Sequence, residues 1–152
     1  MTEKRLYRAV LDQYCSSPLL SRSEKGRFHR GLNKPTVYLA EQWETAWHEV
    51  TFRWNADPSR YKKVHVSANI SNIVDLTDET VRSQYGISKT ELVSDDYTAC
   101  QALAARLRAD GVEAIRTFSR ADINGRVLVV FLECLKSNSQ ITVDHVESVV
   151  GP

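Results

Sequence analysis

Apolar and polar positions along this chain switch between two periods. Val64, Val66, Ala68 and Ile70 alternate with His65, Ser67 and Asn69, which predicts a half-buried strand. Ile73-Val74-Asp75-Leu76 extends that strand after a break. Trp43, Ala46, Trp47 and Val50 fall at i, i+3, i+4 and i+7, one stripe of a helix over 41–50. The clearest helix covers 96–110, where Tyr97, Cys100, Leu103, Ala104 and Leu107 share a wide apolar face and Gly111 closes the end. A shorter helix runs to about Tyr85, with Thr77 as N-cap, Asp78 and Glu79 in the first turn and Gly86 as the stop.

The remaining runs are β-prone. Thr36–Ala40, Val112–Phe118 and Arg126–Cys134 read as strands, the last so continuously apolar that it belongs in the middle of a sheet. Ile141–Val149 alternates loosely as a final strand, and residues 5–11 form a strand or a short helix. Residues 15–36, with Pro18, Gly26, Gly31 and Pro35, are irregular. This order predicts one α/β (α+β) domain over residues 1–152, a mixed sheet flanked by helices and not a doubly wound parallel sheet. Its core spans about 5–135, followed by a C-terminal strand extension.

Composition narrows the function. The chain of 152 residues can bury a full core without staples. A net charge of +1 argues against a dedicated polyanion binder. The charge is uneven, because residues 1–34 hold eight basic residues against three acidic ones. Cys15, Cys100 and Cys134 are odd in number and form no CxxC, so they indicate neither a disulfide framework nor a zinc site and suit a reducing cytoplasm. They read as packing residues, as do Trp43 and Trp47. His29, His48, His65 and His145 are scattered, which predicts no metal site. No run approaches a membrane span and the N-terminus lacks a signal peptide's apolar stretch, so the expected location is cytoplasmic. No GxGxxG or Walker motif supplies a phosphate-cradling loop.

The candidate chemistry lies early in the chain. Gly26-Arg27-Phe28-His29-Arg30-Gly31 leads into Val37-Tyr38-Leu39-Ala40, then into Glu44-Thr45-Ala46-Trp47-His48-Glu49. Arg27 and Tyr38 are eleven residues apart, as are Tyr38 and Glu49. On the helix Glu49 falls about 60° from Ala46, at the edge of the apolar stripe, so its carboxylate can point into a cleft. This series resembles the RES domain family, named after an Arg, a Glu and a Ser. The resemblance rests on Gly26-Arg27-Phe28, Tyr38, Ala46-x-x-Glu49 and Phe118-Ser119-Arg120, with Leu6-Tyr7-Arg8 as the first strand, and covers roughly residues 5–135. Lys25 and His29 depart from the family's Gly-Gly-Arg-aromatic-Asn.

The resemblance implies an ADP-ribosyltransferase-like fold and a bacterial toxin that consumes NAD as substrate, without a separate cofactor. It implies hydrolysis or phosphorolysis of the nicotinamide–ribose bond, or transfer of ADP-ribose to a protein target. It also implies a helix-turn-helix antitoxin partner, in a toxin–antitoxin hetero-oligomer or beside a homodimer. Bond cleavage at the ribose passes through an oxocarbenium-like centre, so positioning and electrostatics matter most. Arg8 and Arg27 are then expected to clamp the pyrophosphate, because a guanidinium fork matches phosphate oxygens. Glu49 is expected to bond the ribose hydroxyls and offset charge at the anomeric carbon. Tyr38 is expected to stack on nicotinamide or the ribose edge. Ser119 is expected to support these groups, not to act as nucleophile, because no His–acid pair accompanies it. Catalysis is therefore assigned to Glu49, Arg27 and Ser119, and NAD binding to those three with Arg8 and Tyr38. Two alternatives remain open on the same residues. The basic segment 4–34, with Tyr7, Tyr14 and Phe28 interleaved, suits a non-catalytic nucleotide- or RNA-binding module. A degenerate interaction subunit would instead have lost activity at Lys25 and His29.

Overall fold

The first strand, β1 (Lys4–Leu11), settles the open reading of residues 5–11 in favour of extended structure, with Leu6 and Val10 in the core and Arg5 exposed. The computed structural model describes residues 3–19, 25–31, 34–52 and 55–149; Arg22 and Glu24 of the basic segment lie outside them. Residues 25–30 turn back on themselves as a two-stranded ribbon, β2 (Lys25–Gly26) against β3 (His29–Arg30). There follow β4 (Thr36–Ala40), α1 (Trp43–Thr51), β5 (Tyr61–Asn69) and β6 (Ile73–Asp75). Next come α2 (Glu79–Tyr85), α3 (Lys89–Leu92), α4 (Thr98–Ala109), β7 (Ala114–Phe118), β8 (Arg126–Phe131) and β9 (Gln140–Ser148).

These elements form a mixed α/β domain around a seven-stranded sheet in the order β6-β7-β8-β4-β1-β5-β9. Only β6 and β7 pair in parallel; the other neighbours are antiparallel. The apolar run of β8 is interior, with every residue from Val127 to Phe131 buried, as its composition predicts. Alternation sends Val127, Val129 and Phe131 to one face, under Leu92, Cys100, Leu103 and Leu107 of α3 and α4. Leu128 and Val130 join Val37, Leu39, Val64 and Leu6 on the other.

Two local expectations need correction, and one short helix lies outside them. Residues 73–76 do not continue β5: β6 crosses to the opposite edge and pairs with β7 from Ile73↔Ala114 to Asp75↔Arg116. Pairing partners far along the chain, invisible to local periodicity, decide this. The cap of α2 is Asp78, whose carboxylate accepts from the Thr80 and Val81 amides; the Thr77 hydroxyl donates to Asp75 instead. The α3 turn escaped the periodicity because it is too short, although Ser88 and Glu91 form a reciprocal capping box. Gly86 and Gly111 close α2 and α4 at φ 65° and 78°, where a side chain would be strained.

One junction in the sheet is weak. β1 and β5 pair from Lys4↔Ala68 to Leu11↔Tyr61, but β1 and β4 share the single pair Tyr7↔Ala40. Beyond Tyr7 the two strands splay, and the helix α1 spans the gap by packing on both.

Candidate active site

A hollow of about 330 Å³ opens over this splay. Its floor includes Tyr7 and Ala9 of β1, Tyr38 and Ala40 of β4, and Val127 and Val129 of β8. Its walls include Glu49 of α1, Arg27 and Phe28 of the β2–β3 turn, Tyr97 before α4, Phe118 at the end of β7 and Arg120 after it. Arg27, Tyr38 and Glu49 thus line one cavity. Arg8 also borders it, with its guanidinium donating to the Pro18 carbonyl at 3.0 Å. Ser119 stands just behind the wall, 3% exposed, and its hydroxyl helps hold down the pKa of the Glu49 carboxyl.

Each group is fixed by specific partners. Arg27 donates to the Ser94 carbonyl at 2.6 Å, and its guanidinium lies 4.7 Å from the centre of the Tyr97 ring. The Tyr38 hydroxyl accepts from the Phe28 amide at 2.9 Å and lies 2.8 Å from His29 Nδ1. The phenol is therefore committed to the Arg27 turn, and only its ring is presented to the hollow. Burial pushes this phenol well above its ordinary pKa, so it is a neutral group. Gly26 is required here because a Cβ would lie 2.6 Å from His29 Cε1 and 2.8 Å from the Tyr38 oxygen. His29, where the family pattern has Asn, is 3% exposed and fills the space behind the turn.

Helix α4 braces the same turn from outside. Gln101 Nε2 donates to the Gly26 carbonyl at 3.0 Å, and Arg108 donates to the Phe28 carbonyl at 2.9 Å and to Glu133 at 2.6 Å. Neither residue stands out in the sequence. Tyr97, expected on the apolar face of that helix, stands at its start and carries Arg27. Across the cavity, the Ser119 amide donates to the Gly125 carbonyl, and the Asp122 amide to the Ser119 hydroxyl oxygen. The Thr45 hydroxyl of α1 donates to Asp122 at 2.8 Å, locking the 119–125 turn to the helix that bears Glu49.

Glu49 is accessible from the opening, yet the surrounding walls withdraw water from its carboxyl. Desolvation raises its pKa, and the Ser119 hydrogen bond and the Arg27 charge oppose the rise. The site therefore holds one carboxylate whose charge is balanced by a fixed guanidinium, beside aromatic walls. Such a hollow suits a flat, cationic or polar ligand whose reacting centre gains positive charge.

Trp43 and Trp47 are half-buried and stack on each other at 5.9 Å, and Tyr61 meets Trp47 edge-on at 5.4 Å. His65 and His145, distant in sequence, meet across β5 and β9 at 5.4 Å, both beside Glu147. Cys100 is buried in the core, while Cys15 and Cys134 are half-buried. No helix among the described residues is long and apolar enough to cross a membrane.

Fold and hollow together define a mixed α/β protein with an Arg–Tyr–Glu cleft at a split in its sheet. The RES domain model matches residues 5–148, and the chain belongs to the RES domain family. It is 33% identical over 114 residues to the probable NAD(+) phosphorylase Rv3189 of Mycobacterium tuberculosis (strain ATCC 25618 / H37Rv). That match covers 72% of this chain and 55% of the relative, so the chain spans little more than half the relative's length. The crystal structure of the M. tuberculosis MbcT–MbcA toxin–antitoxin complex superposes with a TM-score of 0.80 at 18% identity, covering 97% of this chain and 85% of that one. This second likeness is one of fold.

Proposed function

We propose that this protein is an NAD-consuming toxin that breaks the nicotinamide–ribose bond. The observation that carries the reading is the convergence of Arg27, Tyr38 and Glu49 on one hollow. Membership of the RES domain family and the phosphorylase relative support it. Nicotinamide leaves as a neutral ring from a cationic one, so no strong acid is needed at the nitrogen. Glu49, ionised, offsets the charge that grows at the anomeric carbon and holds the ribose hydroxyls. Ser119 orients Glu49 and keeps it charged. Arg27 and Arg8 meet the pyrophosphate, and the aromatic rings of Tyr38 and Tyr97 exclude water from the leaving group. Phosphate is the favoured acceptor, because the relative is named a phosphorylase; water and a protein side chain are the alternatives. An antitoxin protein is the proposed partner, by analogy with the complex of the same fold.

The decisive experiment is incubation of the purified protein with NAD and phosphate, with products identified by mass. Free nicotinamide with ADP-ribose 1-phosphate is the expected pair. Intact NAD after prolonged incubation, with no ADP-ribosylated protein, refutes the activity.

A further inference from the structure

At about 330 Å³ the hollow is at the small end of ligand cavities, and a dinucleotide is larger than the ligands such a volume encloses. The far half of the ligand must therefore run out over the rim. One rim carries a row of three side chains. Glu49 lies in the hollow, and Phe52 follows it by three residues, with the backbone still helical at φ −53° and ψ −38°. Residues three apart on a helix are neighbours, so Phe52 stands one turn beyond Glu49 on the side of α1 that faces the cavity. Phe52 is 47% exposed, and of the described aromatic side chains it alone is exposed. Arg120 joins the two: it lines the hollow with Glu49, and its guanidinium lies 5.1 Å from the centre of the Phe52 ring. Its Nη1 donates to Asp95, whose side chain is 66% exposed. An ion pair in water is weak, so a phosphate can take the carboxylate's place or join at another edge of the five-donor fork. Arg27, by contrast, is tied to the Ser94 carbonyl and the Tyr97 ring, and its charge acts on Glu49.

We infer that Arg120 and Phe52 form the subsite for the adenylate half of the dinucleotide, Arg120 taking the phosphate nearer the adenosine and Phe52 stacking against the base. The inference deepens the NAD-cleaving reading and rests on it for the ligand. The order of groups in the ligand matches the order of residues along the rim: ribose at Glu49, phosphate at Arg120 and base at Phe52. A guanidinium fork matches phosphate oxygens, and an open phenyl ring offers a platform to any base. Held at this end, the ligand is anchored away from the bond that breaks, and its ribose is kept at the Glu49 carboxylate.

The test combines nicotinamide release measured against NAD with calorimetric titration by adenosine 5′-monophosphate and by adenosine. It uses the parent, Phe52→Ala, Phe52→Trp, Arg120→Ala and a remote control, Val146→Ala on β9. Phe52 and Val146 are exposed, so their replacement leaves the fold intact, which thermal melts verify. The KM for NAD should rise about tenfold in Phe52→Ala, the loss of one base stack, with kcat within twofold, and Phe52→Trp should restore it. The parent should bind adenosine 5′-monophosphate more tightly than adenosine, and Arg120→Ala should bind the two alike. An unchanged KM for NAD in Phe52→Ala, or an equal rise in Val146→Ala, overturns the stack. A preference for the monophosphate that survives in Arg120→Ala overturns the phosphate contact. If NAD is not cleaved, the titration still decides. Binding of the monophosphate by the parent that Phe52→Ala weakens about tenfold supports the subsite while the cleaving reading falls, and no binding by the parent ends the proposal.

Discussion

At the scale of single residues, the proposed chemistry turns on the environment of Glu49. Its helix places it at the edge of an apolar stripe, and the hollow's walls raise its pKa. A group with a raised pKa is ionised only above that value, so nicotinamide release should climb as pH rises through it. Glu49→Gln keeps the shape and removes the charge. It is expected to slow release by about 10²–10³-fold, the usual loss when one preorganised electrostatic contact at a reacting centre is removed. Ser119→Ala makes a different, signed prediction. The serine hydrogen bond favours the charged carboxylate, so its loss raises the Glu49 pKa further. The acidic limb of the pH–rate profile should move to higher pH, whereas a purely structural serine would lower the rate equally at every pH.

At the scale of elements, the β2–β3 turn is held by groups from two other parts of the chain. Tyr38 of β4 accepts from the Phe28 amide, and α4 binds the Gly26 and Phe28 carbonyls through Gln101 and Arg108. Tyr38→Phe leaves a buried amide without its acceptor and should cost about 1–3 kcal/mol in a denaturant melt. The same variant should bind NAD more weakly, because Arg27 loses its fixed position. A second lock joins the loops at the far end of β7. Glu113 is fully buried and accepts from the Ser71 hydroxyl and from the Asn72 and Lys136 amides. Burial alone would raise its pKa, but these donors outweigh it and lower it from 4.5 to about 2. Since the folded pKa is depressed, this stability is complete above pH 4.5 and is lost as pH falls through about 2. Glu113→Gln should lower the Tm at neutral pH and flatten its decline over that acid window.

For the whole molecule, the weak β1–β4 junction is the feature that makes a site. A sheet paired throughout would present a filled surface, whereas the splay after Tyr7↔Ala40 leaves a gap that α1 roofs from one side. The residues around it are drawn from β1, the β2–β3 turn, β4, α1 and the segments flanking α4 and β7. The proposed activity predicts that this protein depletes cellular NAD. Expression of the parent should arrest host growth and lower NAD measured in extracts, while Glu49→Gln should grow normally at equal protein level. Equal arrest by both proteins would point to a non-catalytic route.

The sequence by itself determined most strands and helices, the interior place of β8 and the order Arg27, Tyr38, Glu49, Ser119. Each of these is written in local periodicity or in short motifs, because side chains three, four or two residues apart share a face. Tertiary structure alone decided the rest: β6 at the far edge, Tyr97 beneath Arg27, α4 as the brace, the His65–His145 contact and Arg120 against Phe52. These depend on which distant segments pair, and no local period encodes a partner tens of residues away. The hollow itself belongs to that second group, since it exists only where two strands stop pairing.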